Sequence, residues 1–240
     1  MEPVSESWDS ALAVVAHPDD LEYGAASAVG RWTGQGKHIA YCLATSGEAG
    51  IDGMPPEEAG PAREAEERAS AKIVGVDSVE FLGLPDGMLE YGLPLRREIA
   101  AAIRRHRPDV VISMNRRETF GPGALNQADH IAVGAAVIDA VRDPANRWVF
   151  RELLERDLQP WGGVRAVLEF ASPRATHAVD VSDQLQLGVT SLRAHKLYLD
   201  GLGDATTDPE EFLESMARPT GTRLGVRYAA SFEVIRFGDF

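Results

Sequence analysis

The segment "ALAVVAHPDDLEYGAASAVG", residues 11–30, joins a short apolar run to a stretch with helical spacing. Consecutive apolar residues over Ala11–Ala16 are typical of a strand that is buried on both faces. Pro18 is compatible with the first turn of a helix, because the N–H that proline lacks has no partner there. The segment therefore predicts a buried β-strand that leads directly into a helix, with a histidine and two aspartates at the junction.

The same alternation continues through the first half of the chain. Further strands are predicted at "HIAYCLATS" (38–46), "SVEFLGL" (78–84) and "DVVISMN" (109–115), and helices over residues 21–36, 61–75, 93–108 and 130–143. Short apolar strands separated by helices indicate an α/β fold with a doubly wound, mostly parallel sheet of the Rossmann-like kind.

The second half of the chain is less regular. It predicts strands at "VRAVLEFA" (164–171), "THAVDVS" (176–182) and "AASFEVIRF" (229–237), a helix over 183–201, and an acidic surface excursion over 203–225. Because no repeat, low-complexity tract or linker divides the chain, we expect one domain over residues 1–240. Residues 1–145 would form its α/β core with the functional site, and residues 146–240 would complete the pocket as an irregular C-terminal portion.

Charge and composition restrict the partners. The formal net charge of −13 opposes binding to nucleic acid or to an anionic membrane, since both attract basic patches. No stretch approaches the ~20 apolar residues of a membrane span, and the N-terminal residues lack the positive charge of a secretory signal. The single cysteine, Cys42, lies in an apolar run where a buried, reduced thiol is expected. The sequence therefore predicts a cytoplasmic protein, as a monomer or a homo-oligomer.

The junction after the first strand has the composition of a metal site. In open parallel sheets, ligands bind beyond the carboxyl ends of the strands. His17 and Asp20 lie three residues apart at such an end and can converge on one point. A divalent cation would offset the repulsion between the paired carboxylates and accept a neutral imidazole as a ligand. The alternative is that His17 caps the helix or pairs with Asp19 at an exposed turn.

A second loop could supply a third ligand. Catalytic zinc sites commonly have three protein ligands and one open position. The segment "GPGALNQADHIAVG", residues 121–134, follows the fourth strand and so reaches the same edge of the sheet. His130 is the natural third ligand in this segment. Asp129 either orients a ligating histidine through its other ring nitrogen or stabilises the helix N-terminus through the helix dipole.

Five motifs, at predicted strand ends or in the second helix, form an ordered series. They are "AHPDD" (16–20), "TSGEAG" (45–50), "REAEERASAKIVGV" (63–76), "LGLPDGML" (82–89) and "NQADHIAVG" (126–134). Over about the first 140 residues this series resembles the PIG-L/LmbE deacetylases. That family removes acetyl groups from N-acetylglucosamine-type sugars and includes the mycothiol-pathway deacetylases.

The resemblance implies a zinc-dependent amide hydrolase, with iron or another divalent metal as alternatives. It implies that His17, Asp20 and His130 hold the metal and that Asp19 is the general base toward metal-activated water. The products would be acetate and a free amine.

One position departs from the family pattern. The family usually has His-Pro-Asp-His where this chain has Gln-Ala-Asp-His, with Gln127 in the first position. That first histidine is thought to assist the oxyanion or the leaving group, whereas glutamine donates a neutral hydrogen bond and cannot shuttle protons. Gln127 is then a substrate-binding group. Either Asp19 carries both proton transfers, or His195 or His177 acts as the acid or oxyanion group.

Further residues are implied to bind the substrate or to support the site. Asp86 corresponds to an acid near the sugar hydroxyls, and a turn aspartate is the alternative. Arg63 corresponds to an arginine that contacts substrate, and a surface salt bridge to a glutamate one turn away is the alternative. Glu48 is expected to brace the metal loop. Arg116 and Arg117 would suit a phosphate or carboxylate on the substrate.

The expected reaction is removal of the N-acetyl group from an N-acetylglucosamine-type sugar or its conjugate. An amidase or tailoring deacylase that cleaves a larger N-acyl group on a specialised metabolite would use the same metal site. A non-catalytic ligand-binding relative is a third interpretation, which only Gln127 supports.

Overall fold

A computed structural model describes residues 1–203 and 207–240 of the chain. An eight-stranded sheet contains the strands β1 (Glu2–Pro3), β2 (Ser10–Val15), β3 (His38–Leu43), β4 (Ser78–Phe81), β5 (Val110–Met114), β8 (Ala166–Phe170), β9 (His177–Asp180) and β10 (Ala229–Arg236). The short strands β6 (Thr119–Gly121) and β7 (Ala124–Leu125) pair with each other as a separate hairpin.

Helices connect most of the strands. They are α1 (Asp20–Gly24), α2 (Ala26–Gly34), α3 (Pro56–Ile73), α4 (Leu93–His106), α5 (Ala128–Ala140), α6 (Leu185–Arg193), α7 (Lys196–Gly201) and α8 (Pro209–Leu224). Two 3-10 turns, Asp143–Ala145 and Arg151–Leu154, lie between α5 and β8. In the part of the chain that the structure describes, none of the helices combines the length and apolar character that a bilayer crossing requires.

The strand order is β1-β9-β10-β8-β5-β2-β3-β4, and β10 is antiparallel to both of its neighbours while the other pairs are parallel. This arrangement confirms the predicted α/β class with a mostly parallel, doubly wound sheet. The chain runs outward from β2 through β3 to β4 and then returns to β5 on the other side of β2. The carboxyl ends of β2 and β5 therefore form the topological switch point, where ligands of such sheets bind.

The two central strands are almost wholly apolar. Every residue of β5 is buried, as is all of β2 after Ser10, because helices cover both faces of the sheet. Helices α4 and α5 pack against each other and β2, while α2, α3 and α8 all pack against α6. Connections between parallel strands are almost always right-handed, so the face that a helix covers depends on the direction in which the chain crosses the sheet. The connections on either side of β2 run in opposite directions, which explains the two groups of helices. Strands β8, β9 and β10 from the second half extend the same sheet.

Two predicted helices are each divided in two. The helix predicted over 21–36 breaks into α1 and α2 at Ala25, whose φ of −128° departs from helical values, and the preceding Gly24 packs against the ring of Phe170. The helix predicted over 183–201 breaks at Ala194–His195 into α6 and α7. The helix predicted over 61–75 instead begins earlier, at Pro56, and includes Pro61, which removes only one hydrogen bond within it.

The predicted acidic excursion was wrong over most of its length. Residues 204–206 of it lie outside the described residues, but Pro209–Leu224 form a four-turn helix whose first N–H groups donate to the side chain of Asp208. Leu213 and Ala217 are buried where α8 packs on β10 and α6. The acidic first turn and the internal Pro219 obscure this apolar face in the sequence.

We predict that Gly24→Ala destabilises the fold, because a Cβ at this position would lie 2.3 Å from Cδ2 of the Phe170 ring. Overpacking of this kind costs about 1–3 kcal/mol in the free energy of unfolding. Gly34→Ala is the matched control, since no atom lies within 4 Å of its added Cβ, and it should be neutral or stabilising by up to ~1 kcal/mol. Urea-induced unfolding of both variants measures the difference; equal stabilities would contradict the packing described here.

Candidate metal centre and active site

Three side chains from two loops meet at the switch point. His17 follows β2, Asp20 begins α1, and His130 lies in the first turn of α5, which follows β5. His130 Nε2 lies 3.0 Å from Asp20 Oδ1, and His17 Nδ1 lies 3.6 Å from Asp20 Oδ2. The three ligand atoms all lie within 4.8 Å of one another. Two imidazole nitrogens and one carboxylate oxygen form a common ligand set of catalytic divalent metals.

The contacts of His17 leave one ring nitrogen for a metal. Its Nε2 lies 3.1 Å from Asp86 Oδ1 and 3.3 Å from Asp129 Oδ2. Ionised carboxylates only accept hydrogen bonds, so Nε2 carries a hydrogen and Nδ1 is the nitrogen directed at Asp20. Carboxylates that orient a ligating histidine in this way are typical of metal sites.

His130 is oriented by an asparagine that the sequence analysis missed. His130 Nδ1 lies 3.0 Å from Asn126 Oδ1, and Asn126 Nδ2 donates to the carbonyls of Asn115 and Arg117, at 2.8 Å each. These two carbonyls can only accept, so the amide has its nitrogen toward them and its oxygen toward His130. His130 therefore carries a hydrogen on Nδ1, and Nε2 is the nitrogen that faces Asp20 and could bind a metal. The one signal of this role in the sequence is that Asn126 lies four residues before His130.

Asp20 is held in place by backbone groups and by charge. Its Oδ2 accepts hydrogen bonds from the backbone N–H groups of Ala16 and His17, at 3.0 and 2.8 Å. Burial alone would raise the pKa of Asp20, but His130 and His17 outweigh burial and hold the pKa well below its usual value. This carboxylate is thus ionised and rigid, as a metal ligand requires.

The surroundings of His17 favour a positive charge. Burial by itself lowers the pKa of His17, but Asp20, Asp129 and Asp86 outweigh that effect and raise the pKa to about 12. The same imidazole contacts lower the pKa of Asp86 and of Asp129, against the effect of their burial. Three buried carboxylates therefore surround the His17 ring and favour positive charge on the ring or bound to its Nδ1.

Asp19 is buried beside the cluster in an unusual backbone conformation. Its φ of 95° lies in the left-handed region that non-glycine residues rarely adopt. Two groups stabilise it there: Glu67 Oε2 accepts its backbone N–H at 3.1 Å, and Arg63 Nη2 lies 3.3 Å from its carboxylate. Burial raises the pKa of Asp19 to about 7, although Arg63 opposes this rise. A carboxyl group with such a pKa is suited to accept and return a proton near neutral pH.

Arg63 is buried and its side chain connects two loops. The alternative prediction, a surface salt bridge to a glutamate one turn away, is therefore wrong. Its guanidinium donates to the carbonyls of Gly47 and Pro18, at 3.0 and 2.6 Å, and lies 4.2 Å from the centre of the Tyr198 ring. A Cβ on Gly47 would lie 2.4 Å from Arg63 Nη1. The "TSGEAG" motif is therefore glycine-rich because the guanidinium packs directly on its backbone.

Asp86 and Glu48 form a chain of support for His17. Asp86 Oδ1 contacts His17, and its Oδ2 accepts the backbone N–H of Ala49 at 2.8 Å. Glu48 in turn accepts the backbone N–H of Asp86 at 2.9 Å. Asp129 accepts two further backbone N–H groups, from Gly87 and Leu89. Both oxygens of Asp86 thus contact protein groups, although its side chain still lines the cavity of the site.

The structure does not bring His195 or His177 to the reacting region. His195 is 0% exposed and lies behind Asp19, with Nε2 3.6 Å from carboxylate oxygens of both Glu22 and Glu67. His177 begins β9, at the opposite end of the sheet and roughly 19 Å from β2 by strand spacing. Neither histidine is placed to protonate a leaving group, which corrects the expectation from the sequence.

The two arginines after β5 are also occupied. Arg116 pairs with Glu169, and Arg117 lies 2.7 Å from Glu233. Both side chains are therefore committed to carboxylates of β8 and β10 rather than free to bind an anionic substrate.

A polar cavity of about 330 Å³ opens over the cluster. The proposed metal ligands line it together with Asp19, Arg63, Asp86, Gln127 and Tyr198. Gln127 is exposed and immediately precedes α5 as its N-cap residue, so its side chain is available to a bound molecule. All of these groups lie at the carboxyl edge of the sheet.

Comparison with known families agrees with this arrangement. The family described as PIG-L, GlcNAc-PI de-N-acetylase, matches residues 12–141. The chain belongs to the PIG-L family. The match begins in β2 and ends just after α5, so it covers every residue of the proposed metal centre. The resemblance expected from the five motifs is confirmed, and the chain is an enzyme of the N-deacetylase class.

Relatives from archaea and bacteria extend over most of the chain. The diacetylchitobiose deacetylase of Thermococcus kodakarensis is 29% identical over 94% of this chain and 82% of its own length. A probable N-acetyl-alpha-D-glucosaminyl L-malate deacetylase of Bacillus subtilis is 25% identical over 80% of this chain and 84% of its own. The crystal structure of the N,N'-diacetylchitobiose deacetylase of Pyrococcus horikoshii superimposes with a TM-score of 0.86 at 22% identity, covering 96% of this chain and 85% of that one.

We predict that Asn126→Ala weakens metal binding by about 10–100-fold, because His130 loses the group that sets its tautomer and ring orientation. The adjacent Gln127→Ala is the matched control and should change metal affinity by less than about twofold, since that side chain is exposed. Competition between each purified protein and a chromogenic zinc chelator measures the affinities. Equal affinities for the two variants would contradict the assigned role of Asn126.

Proposed function

We propose that this protein is a metal-dependent N-deacetylase that hydrolyses the acetamide of an N-acetylglucosamine-type sugar or of its conjugate. The observation that supports this most strongly is geometric: one ring nitrogen of each histidine, Nδ1 of His17 and Nε2 of His130, faces the same carboxylate, Asp20, while the other ring nitrogen contacts a hydrogen-bond acceptor. A buried aspartate with a raised pKa stands beside them. Such a set is suited to metal-assisted hydrolysis.

His17, Asp20 and His130 would hold the metal. Zinc is our first choice because two imidazoles and one carboxylate are a frequent catalytic zinc set; iron(II) is the alternative, since it also binds sets of two histidines and one carboxylate. When bound, the metal supplies Lewis-acid activation of water and of the amide carbonyl. The buried Asp86, Asp129 and Asn126 keep the two imidazoles oriented throughout the reaction.

Asp19 performs the proton transfers in this proposal. Its carboxylate accepts a proton from the attacking water and returns it to the amide nitrogen as the C–N bond breaks, which yields acetate and a free amine. Gln127 can donate a hydrogen bond to the developing oxyanion but cannot carry a proton. Because His195 and His177 lie elsewhere, Asp19 is the group that remains for both transfers.

The polar cavity suits a hydroxylated substrate. Its volume of about 330 Å³ lies at the lower end of the range for small-molecule sites, and a single aminosugar ring would fill it. Arg63, Asp86 and Gln127 offer donors and acceptors along its wall. The names of the relatives, diacetylchitobiose and N-acetylglucosaminyl malate deacetylases, support the same class of substrate.

We also propose that the protein acts in the cytoplasm on a small molecule and does not bind nucleic acid. Burial raises the pKa of the Cys42 thiol well above its usual value, so this cysteine stays protonated and inert, as suits a reducing compartment. The net charge of −13 disfavours association with nucleic acid.

We predict that Asp19→Asn lowers kcat for release of acetate from N-acetylglucosamine by about 10²–10⁴-fold while the protein keeps one equivalent of zinc. His17→Ala should lose both the zinc and the activity. The matched control is His38→Ala. His38 is an exposed histidine at the amino end of β3, whereas the proposed metal site lies beyond the carboxyl ends of the strands. Elemental analysis and acetate release on the same preparations separate the outcomes. An unchanged zinc content in His17→Ala would overturn the site, and an unchanged kcat in Asp19→Asn would overturn the base.

A further inference from the structure

A second cavity adjoins the metal centre on the side away from Arg63 and Asp86. It has a volume of about 650 Å³, roughly twice that of the polar cavity, and shares Asp20, Tyr23 and His130 with it. The two cavities therefore meet at the proposed metal ligands. A molecule whose amide lies at that centre can extend into both.

The wall of the second cavity is largely apolar. Met114 and Phe170 contribute from the ends of β5 and β8, Phe120 from the hairpin of β6 and β7, and Phe212 and Met216 from α8. Besides the shared residues, Ser172 and Ser231 are the polar side chains among the described residues of this wall. A sugar ring, with a hydroxyl on most of its carbons, would leave those hydroxyls without partners here.

The apolar wall is in direct contact with the site. The ring of Phe120 lies edge-on to His130, with 6.2 Å between ring centres, and the ring of Tyr23 lies edge-on to Phe212 at 5.2 Å. Phe120 and Met216 are 38% and 58% exposed at the rim. Large apolar side chains left open to water beside a reactive centre are typical of a binding surface.

An acetyl group does not account for this volume. A cavity of about 650 Å³ lies in the middle of the range for sites that bind drug-sized molecules. An acetyl methyl adds only one carbon to the carbonyl carbon and would leave nearly all of the apolar wall in contact with water. A longer chain or a ring system is required to cover it.

Resting on the proposed function, we infer that the substrate of this enzyme is amphipathic: a polar aminosugar occupies the polar cavity and a bulky apolar group occupies the second one. The apolar group belongs either to the aglycone of the sugar or to the acyl chain of the amide. Both are hydrocarbon of similar size, and the experiment separates them.

The test compares three substrates with the zinc-loaded enzyme: N-acetylglucosamine, its octyl glycoside, and N-octanoylglucosamine. Release of the free amine is followed for each. Each methylene moved from water to an apolar wall strengthens binding about fourfold. We therefore expect kcat/KM for one of the octyl compounds to exceed that of N-acetylglucosamine by at least ~50-fold, and the preferred compound identifies the source of the apolar group.

Two variants of the hairpin provide matched controls. Ala124 lines the cavity, whereas its neighbour Leu125 does not and is 81% exposed. Ala124→Trp should place an indole inside the cavity and reduce the octyl preference to within about threefold of unity, with unchanged zinc content as evidence of correct folding. Leu125→Trp should keep the full preference and the activity of the parent enzyme.

The outcomes distinguish this inference from the proposed function. Release of amine from all three substrates with similar kcat/KM would overturn the apolar site and leave the deacetylase intact. Absence of release from all three would overturn the proposed function. In that case the binding of the two octyl compounds is measured by calorimetry. Binding of either compound with a negative heat-capacity change that Ala124→Trp abolishes supports the second cavity, and absence of binding by both overturns it.

Discussion

The structure depends on the accumulation of buried negative charge beyond the carboxyl ends of three strands, β2, β4 and β5. Asp20, Asp86 and Asp129 all contact the ring of His17. Two like charges at 4 Å repel by about 4 kcal/mol at an effective dielectric constant of 20, so such a group of carboxylates is stable only around positive charge. A protonated His17 ring supplies one positive charge, and a divalent cation bound at its Nδ1 would supply two. The parallel sheet makes this possible, because loops far apart in sequence end side by side.

A second constraint follows from the first. For Asp19 to face the cavity while Asp20 faces the two histidines, the chain must turn sharply between the two residues, and it does so through a left-handed conformation at Asp19. Such a conformation costs about 1–3 kcal/mol and persists only when neighbouring contacts stabilise it. Glu67 and Arg63, both from α3, provide those contacts, and Arg63 also binds the loop after β3. The charged helix α3 is therefore part of the active site through its buried face.

The order of strands and helices and the loops that carry the site could be predicted from the sequence. The contacts that individual side chains make in the folded protein were predicted less well. Apolar strands and intervening helices predicted the sheet, and the residues after β2 and β5 predicted where His17 and His130 meet. Asn126 and Glu67 were not recognised, because their roles arise only when α3 and α5 are packed. His195 was misread for the same reason, because its ring lies between two buried glutamates. Helix α8 was missed because its apolar face is narrow and its first turn is acidic.

The glutamine at position 127 changes how protons can move. With a histidine there, one group could accept the proton of water and another could supply the proton of the amine, so each could have a fixed protonation state. Here His195 is enclosed, and Gln127 has no titrating group. In the proposed mechanism Asp19 then alternates between its protonated and ionised forms within one turnover, which requires a pKa close to the working pH. Burial raises the pKa of Asp19 to about 7, with the positive charge of Arg63 opposing a larger rise. The buried environment of Asp19 thus provides the property that the missing histidine would otherwise supply.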